Sequence, residues 1–346
     1  MLEVAGAICG LHAQLMSSAE LSAWARVEDL EPDAVSRALW EERTLVKTWA
    51  MRGTLHLLPT VDYPLWQAGL STRERDRKPS WYRGFGIGPE ELETLTDAVA
   101  QALDGRALTR VELADEVTAI TGSPALGEQM RGSWGAMLKP ASFRGHLCFA
   151  PSVGQNVRFT RPDGWLGASP PVDPDAALLE ITRRFLAAHG PATREDLARW
   201  WGVSPAAGGK MISRLGEDAI EVGVEGTPAW MLTADVTEAA AASPPGSIRL
   251  VPAFDPYVIA ATRHAIDLMP GDFKDRVYRP QGWLSPVLLV DGRMEGVWRQ
   301  ERRGGRLVVE IEPFRKQPVW VRKAAGEEAE RLAAFTGGAL KLTWPA

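Results

Sequence analysis

Two stretches of this 346-residue sequence follow the same order of elements. Residues 89–160 open with PEELETLTDAVAQAL, an amphipathic run with Pro89 at the first helical position, where a missing N–H costs nothing. LTRVELADEVTAITG follows, with Thr109 and Glu112 at the spacing of a capping box. A third amphipathic stretch, LGEQMRGSWGAMLK, leads into GHLCFAPSVGQNVRFT, two strand-like runs around a glycine turn. Residues 173–234 repeat the order in DPDAALLEITRRFLAAHG, ATREDLARWWGVS, AGGKMISRLG and AIEVGVEGTPAWML, and Thr193 and Asp196 reproduce the placement of Thr109 and Glu112. Helix, capped helix, helix and hairpin is the pattern of a winged helix, and two copies constrain the fold more than one.

The first sixty residues read as a third copy cut short at its start. SSAELSAWARV and EPDAVSRALWEE are helical patterns, and LVKTWAMRGTLHLL is a strand pair turning at Arg52-Gly53. Residues 236–246, VTEAAAASPPG, have the composition of a linker. Beyond them SIRLVPAF, WLSPVLLV, RMEGVWRQ and RLVVEIEP are short strands between Gly and Pro turns, and GEEAERLAAF is a late helix. The expected fold is α+β: winged-helix units over 1–75, 76–168 and 169–240, then a small β-barrel with a helix over 241–346.

Composition narrows the function by exclusion. The chain has no apolar run long enough for a bilayer and no secretory leader pattern, so a cytoplasmic protein is expected. Cys9 and Cys148 form neither a disulfide framework nor a metal spacing. The five histidines, at 12, 56, 146, 189 and 264, contain no pair at metal-ligand spacing, and neither a metal nor another cofactor is expected. A net charge of −5 gives no global attraction to nucleic acid, so any DNA binding rests on local basic patches. Fourteen tryptophans suit an extensive core, with Trp200 and Trp201 filling that of the third unit.

Standard catalytic signatures are missing. GGKMIS lacks the first Gly and the hydroxyl residue after Lys210 that a phosphate loop needs, and RGSWG is one residue short of a nucleophile elbow. Asp255 in PAFDPY reads as an Asp-Pro turn with Tyr257 packed beneath it. ERRGGR offers Arg302, Arg303 and Arg306 around a flexible hairpin tip, either a phosphate clamp or a solvated turn. Arg52, Arg110, Arg131 and Lys139 are further candidates for phosphate contact.

GLHAQLM, residues 10–16, stands apart. A helix would set His12 and Gln14 about 200° apart, whereas an extended segment puts both on one face. From spacing alone the ordinary reading is a short strand with its polar face in water.

GLHAQ, TWAMRGTLHLLP, LVPAFDPY and GWLSPVLLVDGRMEGVWR, in that order, resemble the AlkZ/YcaQ family of winged-helix DNA glycosylases over nearly the whole chain. The resemblance implies units arranged around a DNA channel and excision of alkylated purines from double-stranded DNA, in some members bulky N7 adducts or interstrand cross-links. The family motif is two polar residues around a small or apolar one, commonly Gln-x-Gln or Gln-x-Asp. The matching positions here are His12 and Gln14, so the first departs from the pattern.

An N7-alkylguanine is already cationic, and its glycosidic bond breaks without a strong general acid. The protein's task is to hold a water beside an oxocarbenium-like sugar. Gln14 can accept a hydrogen bond from that water, and a neutral His12, titrating near the usual ~6.5, can accept another or take its proton. A monomer with no obligate protein partner is expected. The competing readings are a non-catalytic winged-helix regulator, which would be indifferent to His12, and a degenerate relative that binds damage without cutting.

Overall fold

The computed structural model describes residues 1–346 except 74, 134, 244–245, 265–266 and 345–346. After a short helix α1 (Leu2–Ala7) come β1 (Leu11–His12), α2 (Met16–Trp24), α3 (Ala34–Trp40), β2 (Leu45–Trp49) and β3 (Leu55–Pro59). These strands form one sheet in the order β1-β3-β2. Helices α4 (Tyr63–Ser71) and α5 (Pro79–Phe85), which the sequence reading had not marked, lead to the second copy.

That copy contains α6 (Pro89–Ala102), β4 (Leu108–Thr109), α7 (Arg110–Thr121), α8 (Pro124–Gly132), α9 (Lys139–Phe143), β5 (Cys148–Val153) and β6 (Asn156–Thr160), with sheet order β4-β6-β5. LGEQMRGSWGAMLK is not one helix: Gly135 takes φ 85 and Pro140 opens α9, which divides the run. Trp134, inside it, lies outside the described residues. After α10 (Pro162–Leu166), the next copy has α11 (Pro174–His189), α12 (Arg194–Trp201), α13 (Pro205–Ser213) and the hairpin β7 (Ala219–Val224) and β8 (Thr227–Leu232). A lone bridge from Ala192 to Trp230 on β8 stands where β1 and β4 stand in the other copies. Helices α4 and α11 meet at Gly69, where a Cβ would come within 2.4 Å of Ile181.

The two capping boxes are present. Thr109 accepts from the Glu112 N–H and Glu112 returns to the Thr109 N–H at 2.8 Å; Thr193 and Asp196 do the same at 2.9 Å. In the second copy β4 runs straight into its capped helix, and in the third the bridged Ala192 directly precedes the cap. The first copy differs: β1 ends at His12, α2 begins at Met16, and its N-cap is Leu15, which has no capping side chain. Ala13, Gln14 and Leu15 are interposed.

Two expectations are corrected. The supposed linker begins with a helix, α14 (Val236–Ala241), because its Ala-rich start is a good helix former; Pro244 and Pro245 lie outside the described residues. The C-terminal strands do not close into a barrel. After β9 (Ile248–Val251), α15 (Pro256–Ala260) and α16 (Lys274–Val277) come β10 (Val287–Val290), β11 (Arg293–Arg303), β12 (Arg306–Pro313), α17 (Val319–Thr336) and β13 (Ala339–Thr343). They make an open sheet, β13-β12-β11-β10-β9. Its core is completed by Val321, Ala325, Ala329 and Leu332 of α17, so a helix covers the apolar face that barrel closure would have buried. Leu21 and Trp24 of α2 join this same core, which fastens the first copy to the C-terminal sheet. No described helix is long and apolar enough to cross a membrane.

Candidate active site

The entry to β1 is fixed by two successive left-handed residues, Cys9 at φ 60 and Gly10 at φ 96. A Cβ at position 10 would fall 2.7 Å from Leu58 and 3.1 Å from the Leu57 carbonyl, so glycine is needed there. The strand pairs with β3 in a register that sets Leu11 opposite Leu57 and His12 opposite His56, and the Ala13 N–H donates to the Leu55 carbonyl at 2.7 Å. Extended backbone is therefore present, but the polar face does not point to water: His12 is only 4% exposed. Gln14, two residues on, is exposed, so the two motif residues occupy different surroundings.

His12 lies between two rings. His56 meets it edge-on at 5.3 Å, and Phe254 stacks on it at 5.4 Å with the planes 20° apart. Its buried Nδ1 has no hydrogen-bond partner, an uncommon state for a buried polar atom. Burial and the charge of Arg52 pull its pKa down to about 4, below the ordinary value expected from sequence. His12 is thus a neutral imidazole at physiological pH. His56 is held neutral too, chiefly by burial, and because a carbonyl can only accept, its Nδ1–H is the donor to Thr54 at 3.0 Å. These histidines share a cavity with His189, Arg52, Trp200 and Ile259. His189, also desolvated, sits at about 4.

Phe254 reaches His12 through a strained backbone, φ 57, next to a residue that cannot move. Asp255 is fully buried; it takes two bonds of 2.7 Å from Arg26, one of 3.1 Å from Ser22, and one of 2.9 Å from the Tyr257 N–H. Ser22 and Arg26 are one turn apart at the end of α2, so the pair locks the strand exit of the C-terminal sheet onto the motif helix. Asp255 caps α15, with Pro256 at the helix's first position, where the sequence reading expected a simple turn, and Tyr257 is anchored through its hydroxyl to the Gly292 carbonyl at 2.7 Å. The charge partner and Phe254 were missed. The available signal was an acid in an otherwise apolar stretch, which has to find a cation if buried.

A family model described as "DNA glycosylase AlkZ-like" matches residues 5–335. The chain belongs to the AlkZ-like DNA glycosylase family. The interstrand DNA cross-link repair glycosylase of Streptomyces sahachiroi is 36% identical over 342 residues, spanning 97% of this chain and 90% of that protein. The solved structure of Streptomyces sahachiroi DNA glycosylase AlkZ superposes with a TM-score of 0.90 at 35% identity, covering 99% of this chain and 93% of that one.

For an AlkZ-like glycosylase the basic residues are weighed by whether their charge is already matched. Arg131 is not spare: it is paired with Asp115 and with Glu128. Arg110 opens α7, half-buried, and Lys139 Nζ lies 3.7 Å from where a Cβ on Gly53 would stand. Arg302, Arg303 and Arg306 do sit at a hairpin tip, across Gly304 and Gly305 with φ 55 and 76. Arg302 is fastened to the Thr336 carbonyl and Arg303 to Glu301 at 2.6 Å, whereas Arg306 has no ion pair among the described residues. Arg52 alone of the seven basic residues singled out by sequence lines the His12 cavity.

Proposed function

We propose that this AlkZ-like glycosylase excises N7-alkylated purines from duplex DNA, cross-linked ones included, with His12 holding the attacking water. The observation that carries the reading is the unpartnered, neutral imidazole of His12 in a cavity at the family's motif position. The C1′–N9 bond breaks with its electron pair leaving on the purine, which neutralises the N7-alkyl cation. Water oxygen then bonds to C1′ and its proton passes to His12 or to solvent. Because the sugar is close to a full cation when water arrives, little basicity is needed, and a weakly basic His12 acts mainly as an acceptor that fixes the water. Gln14 contributes its amide from the solvent side, where the DNA strand lies against it.

The three helix–hairpin copies act as winged-helix units, bounded near residues 75, 168 and 240, and the monomer binds duplex DNA through them and the tip at Arg302, Arg303 and Arg306. Cross-link unhooking is supported by the name of the Streptomyces sahachiroi relative. The test is base release from oligonucleotides carrying N7-methylguanine, a bulky N7 adduct or an N7–N7 cross-link. Free purine adduct is the expected product from the first two, and separated strands, one abasic and one carrying the adduct, from the cross-link; a folded protein that binds all three and cleaves none returns the chain to the DNA-binding regulator reading.

A further inference from the structure

The cavity around His12 holds a positive charge and no free negative one. Arg52 occupies the turn between β2 and β3 in a left-handed conformation, φ 57 and ψ 5, which side-chain-bearing residues seldom adopt. One of its N–H groups donates to the Trp200 carbonyl at 3.3 Å, at the end of α12. That contact is an ordinary helix C-terminal cap, and it uses one of five donors.

What surrounds the rest of the guanidinium is of the wrong kind to balance it. Arg52 has no carboxylate partner among the described residues. Burial above all, and then the charges of Arg199 and, less strongly, Arg73, bring its pKa down to about 10. The titratable groups sharing the cavity, His12, His56 and His189, are each held neutral, in part by Arg52 itself. Asp255, the acid whose charge reaches His189, is spent on Arg26. Arg199 is exposed on α12, one residue from the carbonyl that Arg52 holds, and it too has no carboxylate partner among the described residues.

A glycosylase that forms a cationic sugar gains nothing from an unbalanced arginine beside it; the arrangement makes sense once an anion arrives with the substrate. We infer that Arg52 and Arg199 grip one backbone phosphate next to the damaged nucleotide. Bound there, that phosphate offsets the arginines' charge, which would otherwise face the oxocarbenium-like sugar with nothing to balance it. The DNA is thereby both substrate and electrostatic partner. Arg52 and Arg199 are positioning residues, acting on the reacting sugar through the phosphate. The inference rests on His12 marking the reaction centre.

The experiment uses duplexes with N7-methylguanine in which each phosphate near the lesion is replaced, one at a time, by a neutral methylphosphonate. Single-turnover excision and affinity are measured for the wild type, for Arg52→Asn and for Arg199→Ala. Asparagine tolerates the left-handed turn, so the fold is kept, and Arg199 is exposed. One phosphate position is expected to cost the wild type tenfold or more in excision. Arg52→Asn should cost a similar factor on unmodified DNA and lose nothing further at that position; Arg199→Ala should show a smaller loss with the same coupling. Losses that multiply at every position, or no sensitive position in a protein that excises, overturn the phosphate grip while leaving the glycosylase reading intact. Coupling seen in affinity alone, with no excision by the wild type, supports the grip and overturns the reading of His12.

Discussion

Phe254 and His12 lie ring on ring, 5.4 Å between centroids, although they come from opposite ends of the chain. The contact depends on Asp255, whose buried carboxylate is held by Arg26 on the motif helix. The cavity beside His12 is lined in part by Pro256 and Ile259, so the C-terminal region helps to enclose a site formed in the first copy.

Breaking that pair should be felt at both levels. Asp255→Asn leaves Arg26 without its counter-charge, which typically costs ~3–5 kcal/mol when the site is buried. Differential scanning calorimetry should register a drop of several degrees in Tm. Phe254→Leu keeps apolar volume but removes the ring; single-turnover excision should fall roughly tenfold with Tm nearly unchanged. Equal activity in Phe254→Leu would make the stack a packing contact only.

His12→Ala should lower excision about a hundredfold, as for loss of a positioning or charge-stabilising group, and His12→Gln should keep much of the rate because an amide oxygen also accepts from water. Gln14→Ala should be impaired as well. Affinity for undamaged duplex should be unchanged in all three. Full excision by a folded His12→Ala, Gln14→Ala double variant would move the chemistry elsewhere.

The acid limb of activity is set by the cavity, not by free histidine. With His12 at about 4, kcat should stay level as pH falls through 6.5 and decline only towards pH 4, where protonation removes the acceptor. His12→Gln should lack that limb. A wild-type decline centred on 6.5 would contradict the burial of this ring.

Stability should follow a related course. His12 and His189 titrate at about 4 when folded, and His56 is held well below its ordinary value by burial, against ~6.5 in an unfolded chain. The unfolded state therefore binds more protons between these values, and the stability of keeping three neutral imidazoles, complete above 6.5, is lost as pH falls towards 4. Unfolding titrations at pH 5 should show these side chains contributing roughly two to three protons taken up. Substituting all three by Gln should flatten that slope.

Binding at the hairpin tip should be unequal among its arginines. Arg306 has the least prior engagement, so Arg306→Ala should weaken duplex binding more than Arg303→Ala, whose partner is Glu301. The triple Ala variant should also show a shallower dependence of affinity on salt, since fewer counterions are released. A salt slope identical to wild type would make the tip a solvated turn.

Local signals carried the two later copies well. Thr109 and Thr193 marked helix starts because a capping box is a short-range bargain between neighbours, visible as spacing. The short strands β1 and β4 were harder, since each exists only through pairing with a distant hairpin. The barrel expectation failed because alternating strands announce a sheet but not what covers it, and α17 decided that. At the site, family resemblance singled out His12 and Gln14. The burial of His12, the orphan Nδ1 and the Arg26–Asp255 lock were not legible, because each depends on residues brought together from far along the chain.

During synthesis, all three helix–hairpin copies leave the ribosome before Phe254 and Asp255 do. In a partly made or C-terminally clipped chain, His12 lacks its aromatic wall and Arg26 its counter-charge. The junction between β1 and α2 has no capping side chain to hold its turn. With His12 as the catalytic group proposed above, the glycosylase becomes competent only when its last sheet has folded, and a check on its own completeness is built into the geometry.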